Sequence, residues 1–124
     1  MQPLYVVLLQ SDARIAERLA SAFSNTSCTV HRAGSLTELR RLLAQHERCK
    51  VVLDIEAASL PEVQHLCKQF PHTSIVCTHR LADENMWTAA LNAGAADICD
   101  SSDIPAIVRS AVGSVSPVHT AAAA

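Results

Sequence analysis

The chain has 124 residues, of which 49% are hydrophobic, 18% charged and only 3% aromatic, and its formal net charge is −2. That length suits one domain with a core of its own, built from Leu, Val, Ile and Ala, and the composition excludes intrinsic disorder. No basic cluster is denser than Arg40-Arg41, which argues against direct binding of a nucleic-acid backbone.

No apolar run approaches the roughly 18 to 20 residues that a bilayer span requires. Met1-Gln2-Pro3 leads straight into a strand-like run, without the basic region and cleavage site of a signal peptide, so a cytoplasmic protein is expected. The five cysteines (Cys28, Cys49, Cys67, Cys77 and Cys99) are odd in number and scattered among apolar residues, which predicts free thiols rather than disulfides.

Leu4-Tyr5-Val6-Val7-Leu8-Leu9 predicts a strand buried on both faces. Ser11 or Asp12 then caps a helix running to Ser24, with Ile15, Leu19, Ala22 and Phe23 at helical spacing and Arg14, Glu17 and Arg18 off that stripe. Ser27 to Arg32 alternates, as a second strand near a sheet edge does, and Gly34 breaks it. Ser35-Leu36-Thr37-Glu38 has the form of a capping box, and Leu36, Leu39, Leu42 and Leu43 predict a helix ending near His46.

The third strand lies in Lys50-Val51-Val52-Leu53-Asp54-Ile55-Glu56, an apolar run that stops on a carboxylate. Ser59-Leu60-Pro61-Glu62 is a second capping box with proline in the first turn; Val63, Leu66, Cys67 and Phe70 face the sheet, and Pro71 ends the helix. Ser74 to Thr78 is a fourth strand ending on a hydroxyl, followed by a helix from Asp83 to Asn92 with Met86, Ala90 and Leu91 on one face and Trp87 at its edge. Gly94 ends that helix, Ala96 to Cys99 is a short fifth strand, and Asp103 to Val112 is a last helix with Ile104, Ile107, Val108 and Ala111 as its stripe.

Strand and helix thus alternate five times, which predicts an α/β fold: a doubly wound five-stranded parallel sheet of flavodoxin-like order 2-1-3-4-5, with helices on both faces. One domain spans residues 1–113, and 114–124, with Ser114-Val115-Ser116-Pro117 and four closing alanines, has the composition of a linker or terminal tail. In such sheets ligands bind outside the carboxyl ends of the strands, which makes Asp54 the first candidate for a site.

Other chemistries find little support. The glycines stand alone at 34, 94 and 113, so no phosphate-binding loop exists, and no serine has a Gly-x-Ser-x-Gly context. Cys67, Cys77, His65, His72 and His79 lack ligand spacing, so no metal site is expected among them. His79 reads as a surface histidine or as a pH-sensitive lid over the crevice.

The order of elements, with Asp54 after the third strand, Thr78 after the fourth and Ala93-Gly94-Ala95-Ala96-Asp97 before the fifth, resembles the receiver domain of bacterial two-component response regulators over about residues 4 to 113. The resemblance implies a phosphoacceptor aspartate at Asp54 and a phosphoryl-reading hydroxyl at Thr78. It also implies an acidic Mg²⁺-binding pair after the first strand and a lysine after the fifth. The pair falls instead on Gln10 and Ser11, the lysine on Ser101, the common fifth-strand aromatic on Ile98 and the Met-Pro pair on Ala57-Ala58.

The chain therefore resembles a degenerate receiver, with a vestigial acceptor in Asp54 and a vestigial pocket of Gln10, Ser11, Asp12, Glu56, Thr78 and Ser101. Bringing a phosphoryl dianion onto a carboxylate requires a cation, and Mg²⁺ prefers carboxylate and water ligands, so Mg²⁺ is expected to bind poorly and no cofactor is expected. The function this implies is a non-enzymatic, phosphorylation-independent regulatory interaction module governing a C-terminal output (transcription) domain or partner protein. Homodimerisation is expected through the face of helix 4, strand 5 and helix 5, drawing on Trp87, Leu91, Asp97, Ile104 and Arg109. Two alternatives remain: a working phosphoacceptor with Asp12 as the remaining metal carboxylate, and a sensor of a small ligand in the same crevice.

Overall fold

The computed structural model describes residues 4–46 and 48–113; the expectations for Met1-Gln2-Pro3 and for the 114–124 tail lie outside them. In chain order the elements are β1 (Tyr5–Leu9), α1 (Ala13–Ser24), β2 (Thr29–Arg32), α2 (Leu36–Gln45), β3 (Cys49–Asp54), α3 (Leu60–Gln69), β4 (Ser74–His79), α4 (Glu84–Asn92), β5 (Asp97–Asp100) and α5 (Ile104–Gly113). The sheet is parallel throughout, in the order β2-β1-β3-β4-β5. This is the flavodoxin-like arrangement expected from the sequence.

Because strand side chains alternate, the sheet divides the core into two layers. Val7, Leu9, Val51, Leu53, Ile75 and Cys77 pack with Leu39, Leu43, Val63 and Leu66 of α2 and α3. Val6, Leu8, Val52 and Val76 pack on the other side with Leu19, Phe23, Ile107 and Ala111 of α1 and α5. β1 and β3 are central and apolar on both faces, which is why their sequences show no alternation.

Local chemistry sets the ends. β2 begins at Thr29 rather than Ser27, because Ser27 takes the left-handed conformation (φ 62°) in the turn leaving α1. β3 stops at Asp54: the Ala57 and Ala58 N–H groups donate back to the Asp54 carbonyl at 2.8 and 3.1 Å, so Ile55 and Glu56 belong to a turn. β5 is Asp97–Asp100, one residue later than the sequence pattern suggested.

The first capping box is completed differently from expectation. Ser35 Oγ accepts from the Glu38 N–H at 3.1 Å, but the Glu38 carboxylate reaches back to the N–H of Gly34, not of Ser35. At α3 the box closes as expected, the Ser59 N–H donating to Glu62 Oε1 at 3.0 Å. All five cysteines are free, with Cys49, Cys77 and Cys99 buried and Cys28 and Cys67 partly so.

Candidate functional site

The carboxyl ends of β1, β3, β4 and β5 border a crevice of about 550 Å³ lined in part by Gln10, Ser11, Asp12, Asp54, Glu56, Arg80, Ser101 and Ser102. Asp54, the last residue of β3, lies directly across from Thr78 in the β3–β4 register, and the two are 5% and 0% exposed. A carboxylate this buried needs hydrogen-bond donors. Its Oδ2 accepts from the Ser11 hydroxyl and from the Ser11 N–H at 3.3 Å, and its Oδ1 accepts from the Glu56 N–H at 3.0 Å. Every one of these donors is neutral.

The Thr78 hydroxyl does not bond to Asp54. Gln10 intervenes: its side chain extends from the end of β1 across β3, so that Nε2 lies 3.2 Å and Oε1 3.3 Å from Thr78 Oγ1. The same Nε2 is 3.4 Å from the Val52 carbonyl. The two residues in the places of the acidic pair thus tie the crevice together, Gln10 to β4 and Ser11 to β3.

Asp12 is exposed and caps α1, its Oδ1 accepting the Arg14 N–H at 2.8 Å. Ser101 is 7% exposed, and its N–H donates to the His79 carbonyl at 3.0 Å. Glu56 leaves the crevice floor for its rim, where Arg80 Nε and Nη2 approach its Oε1 at 2.9 and 2.8 Å and His79 Nε2 lies 3.6 Å away. His79 Nδ1 accepts the Leu81 N–H at 3.0 Å, which fixes the neutral ring as the Nε2–H tautomer. Hydrogen bonds from the Ser102 hydroxyl and N–H, with a smaller contribution from His79, hold the Asp100 carboxyl below its usual value.

Sequence reasoning missed Arg80, the one cation among the described residues that line this crevice. Its place directly beyond Thr78-His79 was visible; its pairing with Glu56, 24 residues earlier, was not. Among the described residues no group of three or more His, Cys, Asp and Glu side chains is arranged to hold a metal ion.

The surface residues singled out in the sequence separate in space. Trp87 is 48% exposed on α4, and Leu91 is half-buried beside it. Asp97 is engaged within the fold, its Oδ2 accepting the Ser110 hydroxyl at 2.6 Å and its Oδ1 the Ile98 N–H at 2.8 Å. Ile104 and Arg109 line a different depression, between α1 and α5.

No protein-family model matches the sequence, and no curated protein matches it. Solved structures do match. A response regulator from Thermotoga maritima superposes with a TM-score of 0.75 at 16% identity, covering 86% of this chain and 98% of that one. The chain has the fold of response-regulator receivers. A response regulator from Burkholderia pseudomallei, solved with a phosphorylated aspartic acid, a calcium ion and citrate, gives 0.76 at 17% identity over 97% of this receiver-fold chain and 73% of its own. An atypical orphan response regulator described with a phosphorylation-independent regulatory mechanism gives 0.77 at 14% identity, over 89% and 93% of the two chains. In this receiver fold Asp54 and Thr78 occupy adjoining strand ends, with Gln10 and Ser11 following β1 and Ser101 following β5.

Proposed function

We propose that the chain is an atypical receiver domain that regulates through protein contacts, without phosphorylation of Asp54 and without catalysis of its own. The observation that carries this reading is the pair of cross-strand links at the crevice: Ser11 holds the Asp54 carboxylate and Gln10 holds the Thr78 hydroxyl. Both groups that phosphotransfer chemistry would use are already engaged, each by a neutral partner.

Charge supports it further. A receiver-type Mg²⁺ site draws on clustered carboxylates, and here the donors beside Asp54 are an amide and a hydroxyl, with Asp12 committed to the cap of α1. That donor set does not fit the ion. No lysine follows β5, and Arg80 is paired with Glu56, so the positive charge that would hold a bound phosphoryl group is lacking at Ser101. The module would act in the cytoplasm on a C-terminal output domain or partner protein, with self-association through α4, where Trp87 is exposed, as one route.

The test is an NMR titration with Mg²⁺ to about 20 mM, followed by beryllofluoride, watching the amides of Asp54, Thr78 and Ser101. Unchanged spectra are expected. Saturable shifts that extend from Asp54 into α4 would overturn the proposal in favour of a working phosphoacceptor.

A further inference from the structure

The apolar residues of α5 fall on two stripes. Ile107 and Ala111 are buried against the sheet. Ile104, Val108 and Val112, spaced i, i+4 and i+8, turn outward instead: the first two are half-buried and Val112 is 36% exposed. With Ala22 of α1 they floor an elongated groove of about 1250 Å³ between the two helices.

Its rim is basic. Arg14 and Arg18 of α1 and Arg109 of α5 border it, against one acidic side chain, Glu17. All four are exposed, and none of them makes an ion pair among the described residues. Arg14 and Arg18 are one helical turn apart, so like charges are held side by side in a chain whose net charge is −2.

We propose that this groove docks an amphipathic helix with acidic flanks, supplied by a partner protein. Apolar side chains at helical spacing would cover Ile104, Val108 and Val112, while carboxylates on either flank would meet Arg14, Arg18 and Arg109; this is helix-in-groove recognition. The charge selects among occupants. A second copy would bring three further arginines to the same place, and residues 114–124 contain no carboxylate side chain. A nucleic acid would match the arginines but gain nothing from the apolar floor.

The inference rests on the reading of the chain as a contact module and names its surface. Two designed peptides serve as probes: a helix with leucines at i, i+4 and i+7 flanked by glutamates, and the same helix flanked by lysines. Each is titrated into ¹⁵N-labelled full chain without divalent ions. The acidic peptide is expected to shift amides of residues 14–26 and 104–113 saturably and the basic one not at all. Arg18→Glu and Arg109→Glu, both exposed and neutral to folding, are each expected to weaken binding about fivefold, the scale of one exposed ion pair turned repulsive.

Equal response to both peptides, or response to neither with and without Mg²⁺ and beryllofluoride alike, overturns the proposal. So does concentration-dependent self-association abolished by Val112→Asp, which would identify a second copy as the occupant, and so do groove shifts on deleting 114–124, which would identify the tail. Repeating the titration with Mg²⁺ and beryllofluoride separates the two readings. Binding that appears only then refutes phosphorylation independence and leaves the groove standing, whereas absence in both conditions refutes the groove alone.

Discussion

Placing aspartate at position 11 tests the electrostatic logic of the crevice directly. In the native chain the Ser11 hydroxyl donates to Asp54 Oδ2, and a hydrogen bond to a charged group contributes roughly 1.5–3 kcal/mol. Ser11→Asp removes that donor and sets a second carboxylate about 4 Å from Asp54, where two unit charges repel by about 4 kcal/mol at an effective dielectric constant of 20. Position 11 is exposed and Asp54 is 5% exposed, so solvent screening removes about half of that repulsion. The two effects together come to about 4 kcal/mol, or a fall of about 15 °C in melting temperature for a domain of this size.

A divalent cation should reverse most of it. Two adjacent carboxylates are what Mg²⁺ prefers, and at a hundredfold excess over its dissociation constant a ligand of the folded state contributes about 2.7 kcal/mol, here about 10 °C. The assay is thermal unfolding of the native chain and of Ser11→Asp in EDTA and in Mg²⁺. The native melting temperature is expected to be independent of Mg²⁺, and that of the variant to rise with it. A native chain that is itself stabilised by Mg²⁺, or a variant as stable in EDTA as the native chain, would refute the reasoning.

Gly94 has φ +105°, and a Cβ there would stand 3.0 Å from Cys67 Sγ and 3.1 Å from Cys67 Cβ, so Gly94→Ala is expected to destabilise by about 1–3 kcal/mol in urea unfolding, with Cys67→Ala removing only the sulfur contact and leaving the Cβ contact and the backbone strain. Burial pushes the Cys77 thiol from 9.0 up to about 12, which favours the protonated form in the folded state; stability is then complete below pH 9 and declines as pH rises towards 12, by about 4 kcal/mol in the limit. Urea midpoints at pH 8 and pH 10.5 should show that decline, and Cys77→Val should reduce it without abolishing it, because burial also pushes the Cys49 thiol from 9.0 up to about 11. Trp87 is 48% exposed, so Trp87→Ala should leave the melting temperature within about 2 °C while lowering any self-association seen by analytical ultracentrifugation.

The fold was legible because its signals are local. Val51-Val52-Leu53 has no polar alternation and ends on Asp54, and each helix carries a cap or a proline near its start, so strand order and the strand-end position of Asp54 followed from pattern alone, whereas β4 runs one residue past Thr78, to His79. What stayed hidden depends on distance in the chain. Gln10 reaches Thr78, 68 residues away, because a glutamine is long enough to cross one strand of the sheet, and no local pattern encodes that reach. Arg80 and Glu56 meet for a similar reason: a turn follows β3 and a loop follows β4, and parallel register sets the two side by side. The second stripe of α5 was merged with the first in the sequence, since Ile104 and Val108 differ from Ile107 and Ala111 only in which neighbour covers them.

The neutral groups at the crevice supply the donors that a buried carboxylate needs. A cluster of acids at the end of β1 would repel Asp54 and make the unliganded fold depend on a divalent ion for its stability. A hydroxyl and an amide at the same positions convert that repulsion into donor–acceptor contacts, so Asp54 stays 5% exposed with three neutral donors and Thr78 stays fully buried against Gln10. Each link joins a different strand to β1, and Glu56 extends the network through Arg80 and His79 to the loop before α4. These side chains link the ends of β1, β3 and β4. On the proposed reading, such a domain would present its helical surfaces in one geometry whatever the Mg²⁺ concentration, the property that a contact module needs and that a phosphorylation switch must avoid.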